Sequence, residues 1–88
     1  MTRSTRIAVL ASGRGSNLQA ILDAIARGVL SAEVVGVFSD RPNAQALQRV
    51  PQPLRWAAAP RDFADRNAYE AALADAVAAS APDWIVCA

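Results

Sequence analysis

Six consecutive residues near the start of the chain, Ser12 to Asn17, read Ser-Gly-Arg-Gly-Ser-Asn and have the composition of an anion-binding loop. They follow a short apolar run and precede a segment of helical periodicity, so their backbone N–H groups would lie at a helix N-terminus, where the helix dipole favours negative charge. Glycine lets the backbone turn sharply and approach a ligand closely. The pattern predicts a cradle of backbone amides for a phosphate, in which Ser16 or Asn17 caps the helix and offers a side-chain donor.

Two better-known phosphate loops do not fit this stretch. A P-loop needs Gly-Lys-Ser/Thr, which does not follow the glycines here. A dinucleotide fingerprint needs a third glycine where Leu18 stands, although Glu33 near the next strand supplies an acid of the kind such sites use. An NAD site is therefore a weaker hypothesis, and a tight turn that binds nothing is a further alternative. Arg14 is expected to be a solvated loop side chain rather than a phosphate contact.

The composition excludes several kinds of chemistry. The 88 residues suffice for one domain at most, and 53% hydrophobic with 19% charged residues is a globular composition. Nine arginines against eight acidic residues give a net charge of +1 without a basic cluster, so we expect no nucleic-acid partner. With no His and a single Cys, Cys87, the sequence offers no histidine base, no activated thiol and no metal site. No apolar run is long enough to span a membrane, and a cytoplasmic location is the simplest interpretation.

The predicted elements place the loop between a buried strand and an amphipathic helix. Arg6 to Ser12 is a short apolar run that predicts a strand buried on both faces. From Asn17 onward the apolar residues recur at helical spacing, and Gly28 is expected to end that helix. The residues of its apolar face are Leu18, Ile21, Leu22 and Ile25.

The alternation of strands and helices continues through the middle of the chain. Glu33 to Ser39 predicts a second strand, and residues 40–50 predict a turn and a short helix with Pro42 near its start. Two prolines then stop this helix, and Leu54 to Ala58 predicts a short third strand.

A longer helix precedes the last strand. Asp65 is its preferred N-cap, and a capping box of Asn67 with Glu70 is the alternative. The fourth strand begins at Trp84, whose side chain is expected either to pack on the sheet or to be exposed. Strands that alternate with helices in this way predict an α/β fold, a Rossmann-like parallel sheet whose sequence ends directly after the fourth strand.

Several stretches resemble one family of enzymes. "RIAVLASGRGSNLQAILDAIARGVL", the later "EVVGVFSDRPNAQAL" and the turn "APD" before "WIVCA" resemble the N-terminal half of the glycinamide ribonucleotide transformylases (phosphoribosylglycinamide formyltransferases). That family opens with a strand, then Ser-Gly-x-Gly-Ser-Asn-Leu-Gln-Ala, then a second strand that ends in Phe-Ser. The sequence departs from the family at Gln45 and Ala46, where a glycine is usual, and at "VPQPLRW", which is shorter than the family's turn before the third strand.

The resemblance implies roles for particular residues. The family's loop binds the ribose-phosphate of glycinamide ribonucleotide, and its contact residues match Gly15, Ser16 and Asn17. The family's Phe-x-x-Arg at the start of the third helix places its arginine, which contacts the 10-formyltetrahydrofolate side, on Arg66. Arg61 is the competing candidate, and a solvated arginine at the helix start is the alternative interpretation of Arg66.

The implied enzyme transfers a formyl group from 10-formyltetrahydrofolate to the amine of glycinamide ribonucleotide in de novo purine biosynthesis. The family's catalytic asparagine, histidine and aspartate lie beyond the fourth strand, so no catalytic residue is assigned in this sequence, and the resemblance implies no metal. We expect residues 1–88 to be the N-terminal, phosphate-binding part of a formyltransferase domain, a formyltransferase fold truncated after its fourth strand, and to be inactive alone.

A second hypothesis of a different class is a non-catalytic module. Such a chain would bind a ribose-phosphate weakly, or would form a homodimer that covers the exposed fourth strand. The oligomeric state separates the two possibilities, because a stable monomer argues against the exposed strand as an interface. Titration with NAD and with a sugar phosphate separates both from a dinucleotide-binding chain.

Overall fold

Short apolar runs and amphipathic segments alternate along the chain, and each apolar run forms one strand of a parallel sheet. The computed structural model describes residues 4–88. In chain order the strands and α-helices are β1 (Thr5–Leu10), α1 (Ser16–Ala26), β2 (Ala32–Ser39), β3 (Arg55–Ala57), α2 (Arg66–Ala79) and β4 (Trp84–Cys87). Three short 3-10 helices lie between β2 and α2, at Gln45–Arg49, Gln52–Leu54 and Pro60–Asp62. The predicted α/β, Rossmann-like parallel sheet is therefore confirmed.

The order of the strands places a reversal beside the first of them. The sheet runs β3-β2-β1-β4, and all three neighbouring pairs are parallel. The chain moves outward from β1 to β2 and β3 and then returns to add β4 on the other side of β1. In open α/β sheets, ligands bind outside the carboxyl ends of the strands at such a reversal, which here lies between β1 and β4.

The two faces of the sheet carry different parts of the core. Successive strand residues point to opposite faces, so Ile7 and Val9 pack with Leu18 of α1, whereas Ala8 packs with Phe38 and with α2. The first 3-10 helix adds Ala46 and Leu47 to the α1 side, where both are buried. Both faces of β1 are therefore covered, as a central parallel strand requires.

Helix α1 has the predicted apolar face and the predicted end. Leu18 is fully buried, and Ile21, Leu22 and Ile25 pack against the same core. Gly28 has φ +75, two residues after the last helical residue, where its lack of a Cβ makes the left-handed conformation inexpensive.

The middle of the chain differs in detail from the prediction. The predicted second helix is a five-residue 3-10 helix, Gln45–Arg49. It ends there because Val50 precedes Pro51, and the proline ring forces the residue before it into the extended conformation (φ −130, ψ 158). The third strand is shorter than the predicted Leu54 to Ala58, with only Arg55–Ala57 paired to β2 at the edge of the sheet.

Helix α2 begins where the preferred N-cap predicted. Asp65 is the N-cap, and its Oδ1 accepts a hydrogen bond from the backbone N–H of Ala68 at 2.8 Å. The alternative capping box is wrong, because Asn67 lies inside the helix and the Glu70 side chain pairs with Arg66 instead. The cap satisfies one of the amides that the first turn leaves unpaired.

Replacing Asp65 with alanine is expected to lower the free energy of unfolding by about 1 kcal/mol, because the Ala68 amide loses its acceptor. Urea unfolding followed by circular dichroism measures the change. Asp62→Ala is the matched control, since it removes an exposed carboxylate three residues earlier in the chain that does not cap α2. Equal losses in the two variants would show that the cap contributes nothing.

Arg6 joins the start of β1 to the end of α2. Its Nε donates to the carbonyl of Ala81 at 2.8 Å and its Nη2 donates to the carbonyl of Ser80 at 2.7 Å. These carbonyls follow the last turn of α2, where no further backbone N–H group of the helix is available to bond them. Arg6 Nη1 also lies 3.6 Å from Glu33 Oε1, and the Arg6 backbone N–H donates to Asp83 Oδ2 at 2.8 Å. One side chain thus connects β1, β2 and the turn before β4.

The outer edge of β4 is apolar and exposed. Trp84 is 68% exposed and Ile85 is 56% exposed, and Cys87 at the end of the strand is also exposed. Between α2 and β4 lies an apolar groove of about 390 Å³ lined by residues that include Leu73, Val77 and Ile85. Of the two expectations for Trp84, exposure is therefore the correct one.

Candidate anion-binding site

The loop from Ser12 to Asn17 lies at the carboxyl end of β1 and turns into α1 at Gly15. Gly15 is the N-cap residue in the left-handed conformation (φ 80, ψ 28), and no side chain caps the helix. The prediction that Ser16 or Asn17 caps α1 is therefore wrong, because both residues already lie inside the helix. The first turn of α1 consequently keeps its backbone amides free of a side-chain cap.

The carbonyl groups of the loop are turned toward the protein. Gly13 O accepts from the Ala46 backbone N–H at 3.1 Å, and Arg14 O accepts from Arg49 Nε at 2.8 Å. Gly15 O accepts the first helical bond of α1, from the N–H of Gln19 at 2.8 Å. Three successive carbonyls are thus held on the protein side.

The amide groups of the same peptide units must then point away from the protein. A trans peptide is planar and its C=O and N–H point in opposite directions, so the N–H groups of Arg14, Gly15 and Ser16 face outward. Among residues 4–88, no protein acceptor binds the amides from Gly13 to Asn17. Adjacent outward amides beside the positive end of a helix form an anion-binding concavity.

The two glycines of the loop have different surroundings. A Cβ on Gly15 would lie 2.7 Å from both the Cα and the Cβ of Ala46 and 3.0 Å from Arg49 Nε. A Cβ on Gly13 would meet nothing within 4 Å. Gly15 is therefore required by the packing and backbone of the loop, whereas the space beside Gly13 is open to a ligand.

A cleft of about 280 Å³ adjoins the loop, and its walls include residues from outside the predicted glycine loop. Its walls include Ser12, Gly13 and Arg14 from the loop and Arg41 and Asn43 from the turn after β2. Arg14 is exposed, as expected for a solvated loop side chain. The parallel sheet could have indicated Arg41 and Asn43, because the turns after neighbouring parallel strands meet at the same edge.

A second cleft of about 280 Å³ lies at the reversal of strand order. It is lined by the carboxyl ends of β1 and β4, including Leu10 and Cys87, and by Asp40 after β2. Ser12 belongs to the walls of both clefts, so the two spaces adjoin each other at the end of β1. A ligand with an anionic end and a longer body would fit this arrangement.

Arg66 occupies the first position of α2 and is well exposed. Its Nε donates to Glu70 Oε1 at 3.2 Å, its side chain is 71% exposed, and its Cζ lies 5.6 Å from the centre of the Tyr69 ring. Burial of Tyr69 raises the pKa of its hydroxyl above 10.0; Asp40 adds to this effect and Arg66 opposes it, so the ring is neutral near pH 7. Arg61, the competing candidate, is exposed in the preceding 3-10 helix.

The part of the chain that the structure describes contains no cluster of three His, Cys, Asp or Glu side chains placed to bind a metal ion. Within residues 4–88, neither helix has the length and apolar character that crossing a bilayer would require. The groups around the loop are backbone amides and the side chains of Arg14 and Arg41.

A parallel sheet with strand order β3-β2-β1-β4 and flanking helices defines an α/β domain of the Rossmann-like class. Comparison with known families identifies the family to which this domain belongs. The model of the formyl transferase family matches residues 5–88, and the chain belongs to that family.

Individual relatives agree with the family assignment. The chain is 42% identical, over 88 residues, to a trifunctional purine biosynthetic protein adenosine-3 from Drosophila melanogaster, covering 94% of this chain and 6% of that protein. It is 38% identical to a phosphoribosylglycinamide formyltransferase from Schizosaccharomyces pombe, in an alignment that covers 93% of this chain and 45% of that protein. The structure superposes on glycinamide ribonucleotide transformylase 1 from Geobacillus kaustophilus with a TM-score of 0.87 at 34% identity. The superposition covers 97% of this chain and 46% of that protein. The chain thus spans less than half the length of these relatives.

Proposed function

We propose that residues 1–88 are the N-terminal, phosphate-binding part of a phosphoribosylglycinamide formyltransferase. The complete enzyme would transfer a formyl group from 10-formyltetrahydrofolate to the amine of glycinamide ribonucleotide, in purine biosynthesis. Relatives that carry this name, at 38% identity over most of the chain, support the proposal. The catalytic part would lie outside these residues, and the cytoplasm is the expected compartment.

The observation that carries the proposal is the set of outward amides at the end of β1. Gly15, Ser16 and Asn17 would bind the phosphate of the nucleotide through backbone N–H groups, with the hydroxyl and amide side chains as further donors. Hydrogen bonds to an anion are stronger than those between neutral groups, so these amides suit a phosphate dianion. The adjoining cleft at the strand reversal would then direct the rest of the nucleotide toward β4.

Arg66 is proposed to contact the 10-formyltetrahydrofolate side. Helices α1 and α2 each follow a parallel strand, so both begin at the carboxyl edge of the sheet. Arg66, at the first position of α2, therefore shares that edge with the phosphate loop. Its exposed guanidinium pairs with the exposed carboxylate of Glu70, an interaction worth little in water and easily exchanged for a ligand.

Anchoring the phosphate would contribute to catalysis because it positions the rest of the nucleotide. A nucleotide held at its phosphate presents its amine at a fixed distance, and this binding energy offsets the entropy lost when two substrates are oriented. The 88 residues contain no histidine, and the acid–base groups that manage protons during formyl transfer would come from outside them. The purified chain is therefore expected to show no formyl transfer, and transfer above the uncatalysed background would refute this part of the proposal.

Titration of the ¹⁵N-labelled chain with ribose 5-phosphate tests the phosphate site. We expect the amide signals of Gly15, Ser16 and Asn17 to move together and to saturate, with a dissociation constant of about 1 mM or weaker, because one phosphate with a few amides is a small ligand contact. Ribose without phosphate is the control and should move none of them. Unmoved signals with ribose 5-phosphate, or a stronger response to NAD, would contradict the proposed site.

A second candidate function is a non-catalytic, self-associating module. The exposed apolar edge of β4 and the groove beside it support this alternative, because parallel strands are ordinarily covered on both faces. The partner would be a second copy of the chain, bound through β4; we propose no nucleic-acid or membrane partner. Sedimentation over a range of protein concentrations tests it: a dimer that Ile85→Lys dissociates supports the interface, and a monomer at all concentrations rejects it.

A further inference from the structure

Arg49, the last residue of the first 3-10 helix, reaches the phosphate loop from a distant part of the sequence. Its Nε donates to Arg14 O at 2.8 Å, and its Nη1 donates to Gln19 Oε1 at 3.1 Å. Arg14 lies in the loop and Gln19 lies on α1, so one guanidinium contacts both the loop and the helix that follows it. Neither acceptor is charged, although Arg49 carries a full positive charge.

The contact with the loop carbonyl fixes the direction of one outward amide. Arg14 O and the N–H of Gly15 belong to the same planar peptide unit, so a donor that holds the oxygen on the protein side holds the N–H on the solvent side. Hydrogen bonds along a chain also polarise one another, so a charged donor on the oxygen makes the Gly15 N–H a stronger donor toward an anion.

Gln19 of α1 holds the Arg49 side chain in place. Gln19 accepts from Arg49 through Oε1, donates through Nε2 to Asp23 Oδ1 at 2.9 Å, and donates its backbone N–H to Gly15 O at 2.8 Å. Both carbonyls that flank the Gly15 N–H are therefore held by this small network. The neighbouring carbonyl, Gly13 O, is held by the Ala46 backbone amide, which side-chain substitution leaves in place.

We propose that Arg49 is a positioning residue of the phosphate site. It orients and polarises the Gly15 amide through the Arg14 carbonyl and does not contact the phosphate itself. The proposal rests on the proposed function, in that the ligand is taken to be a phosphate. It adds a residue far from the glycine loop in sequence, whose role depends on its guanidinium shape as well as on its charge.

The test compares four forms of the 88-residue chain in the ribose 5-phosphate titration: the unchanged chain, Arg49→Met, Arg49→Lys and the control Arg27→Met, which removes an exposed arginine at the other end of α1. Arg49→Met is expected to weaken binding about tenfold, the size of one charge-assisted hydrogen bond. Arg49→Lys should weaken it similarly, because an ammonium cannot hold both acceptors in the fork geometry. Arg27→Met should change it less than about twofold, because salt screens remote charges.

The outcomes separate a positioning role from the alternatives. Full binding by Arg49→Lys would show that charge alone acts, and this result overturns the proposal. Equal binding by the Arg49→Met and Arg27→Met variants overturns it while leaving the phosphate site standing. Thermal unfolding of each variant, followed by circular dichroism, confirms that the fold is retained.

A readout without ligand distinguishes failure of this inference from failure of the proposed function. In the ligand-free Arg49→Met chain, the Gly15 amide is expected to change its chemical shift and exchange faster with solvent, while amides of α2 do not. If the unchanged chain binds no phosphate but this local change occurs, the loop contact stands and the phosphate ligand is rejected. If the Gly15 amide is unaffected, the positioning role is rejected whatever the ligand.

Discussion

Replacing Gly15 with alanine is expected to lower the free energy of unfolding by about 2–5 kcal/mol. The left-handed backbone at φ +80 costs an alanine about 1–2 kcal/mol, and its Cβ would lie 2.7 Å from the backbone and side chain of Ala46, an overlap that costs about 1–3 kcal/mol to relieve. A domain of this size has only about 5–10 kcal/mol of stability in total. The first 3-10 helix must therefore move away from the loop, and the Ala46–Gly13 hydrogen bond is lost with it.

Gly13→Ala is the matched control for this substitution. It adds the same methyl group two residues earlier, where a Cβ meets nothing within 4 Å and the backbone has no positive φ. Its stability is expected to stay within about 1 kcal/mol of the unchanged chain, with a small gain from the less flexible unfolded state. Urea unfolding by circular dichroism compares the two. A Gly15→Ala chain as stable as Gly13→Ala would mean that the close contact with Ala46 does not exist in solution.

The second large effect is expected at Arg6. Arg6→Met keeps the aliphatic stem but removes the donors to the Ser80 and Ala81 carbonyls and the ion pair with Glu33. We expect a loss of about 2–3 kcal/mol, below the sum for two charge-assisted hydrogen bonds because the side chain is 32% exposed and water replaces part of each contact. The α2 C-terminus should fray first, which hydrogen exchange of the Ser80 and Ala81 amides would reveal.

Arg66→Met controls for the loss of an arginine that is ion-paired but exposed. Its pair with Glu70 lies on the surface of α2, with both side chains more than half exposed, and contributes less than about 0.5 kcal/mol. Arg6→Lys should recover part of the Arg6 loss, because one ammonium can satisfy a single carbonyl. If Arg6→Met unfolds at the same urea concentration as Arg66→Met, the hydrogen bonds of Arg6 to Ser80 and Ala81 contribute little to the free energy of unfolding.

Local signals in the sequence were sufficient for most of the fold. The change of hydrophobic period from β1 to α1, the Asp65 cap and the glycine that ends α1 act within a few residues, so they could be predicted without knowing the tertiary structure. The alternation of elements then predicted a parallel sheet. The two errors of detail in the middle of the chain lie beside prolines, where short 3-10 turns and edge pairing depend on packing against the sheet.

The candidate site could be predicted only in part. Glycine and helix spacing indicated an amide cradle, but not that Gly15 itself would be the N-cap or that no side chain would cap α1. Those features depend on Ala46 and Arg49, which lie about thirty residues away along the chain and reach the loop only when the sheet brings the ends of β1 and β2 together. No periodicity or local motif encodes a contact of that range, so Arg49 could not have been found from the sequence.

The placement of the two tryptophans gives the chain two distinct optical signals. Trp56 packs between Phe38 and Tyr69, with ring centres 6.2 and 6.4 Å away, whereas Trp84 is 68% exposed on the β4 edge. Trp56 is half-buried, and an indole partly shielded from water emits at shorter wavelength than a hydrated one, which dissolved iodide quenches first. Fluorescence of the unlabelled chain therefore distinguishes two events. Loosening of the α2 face shifts the emission of Trp56 to longer wavelength, whereas coverage of the β4 edge protects Trp84 from quenching by iodide.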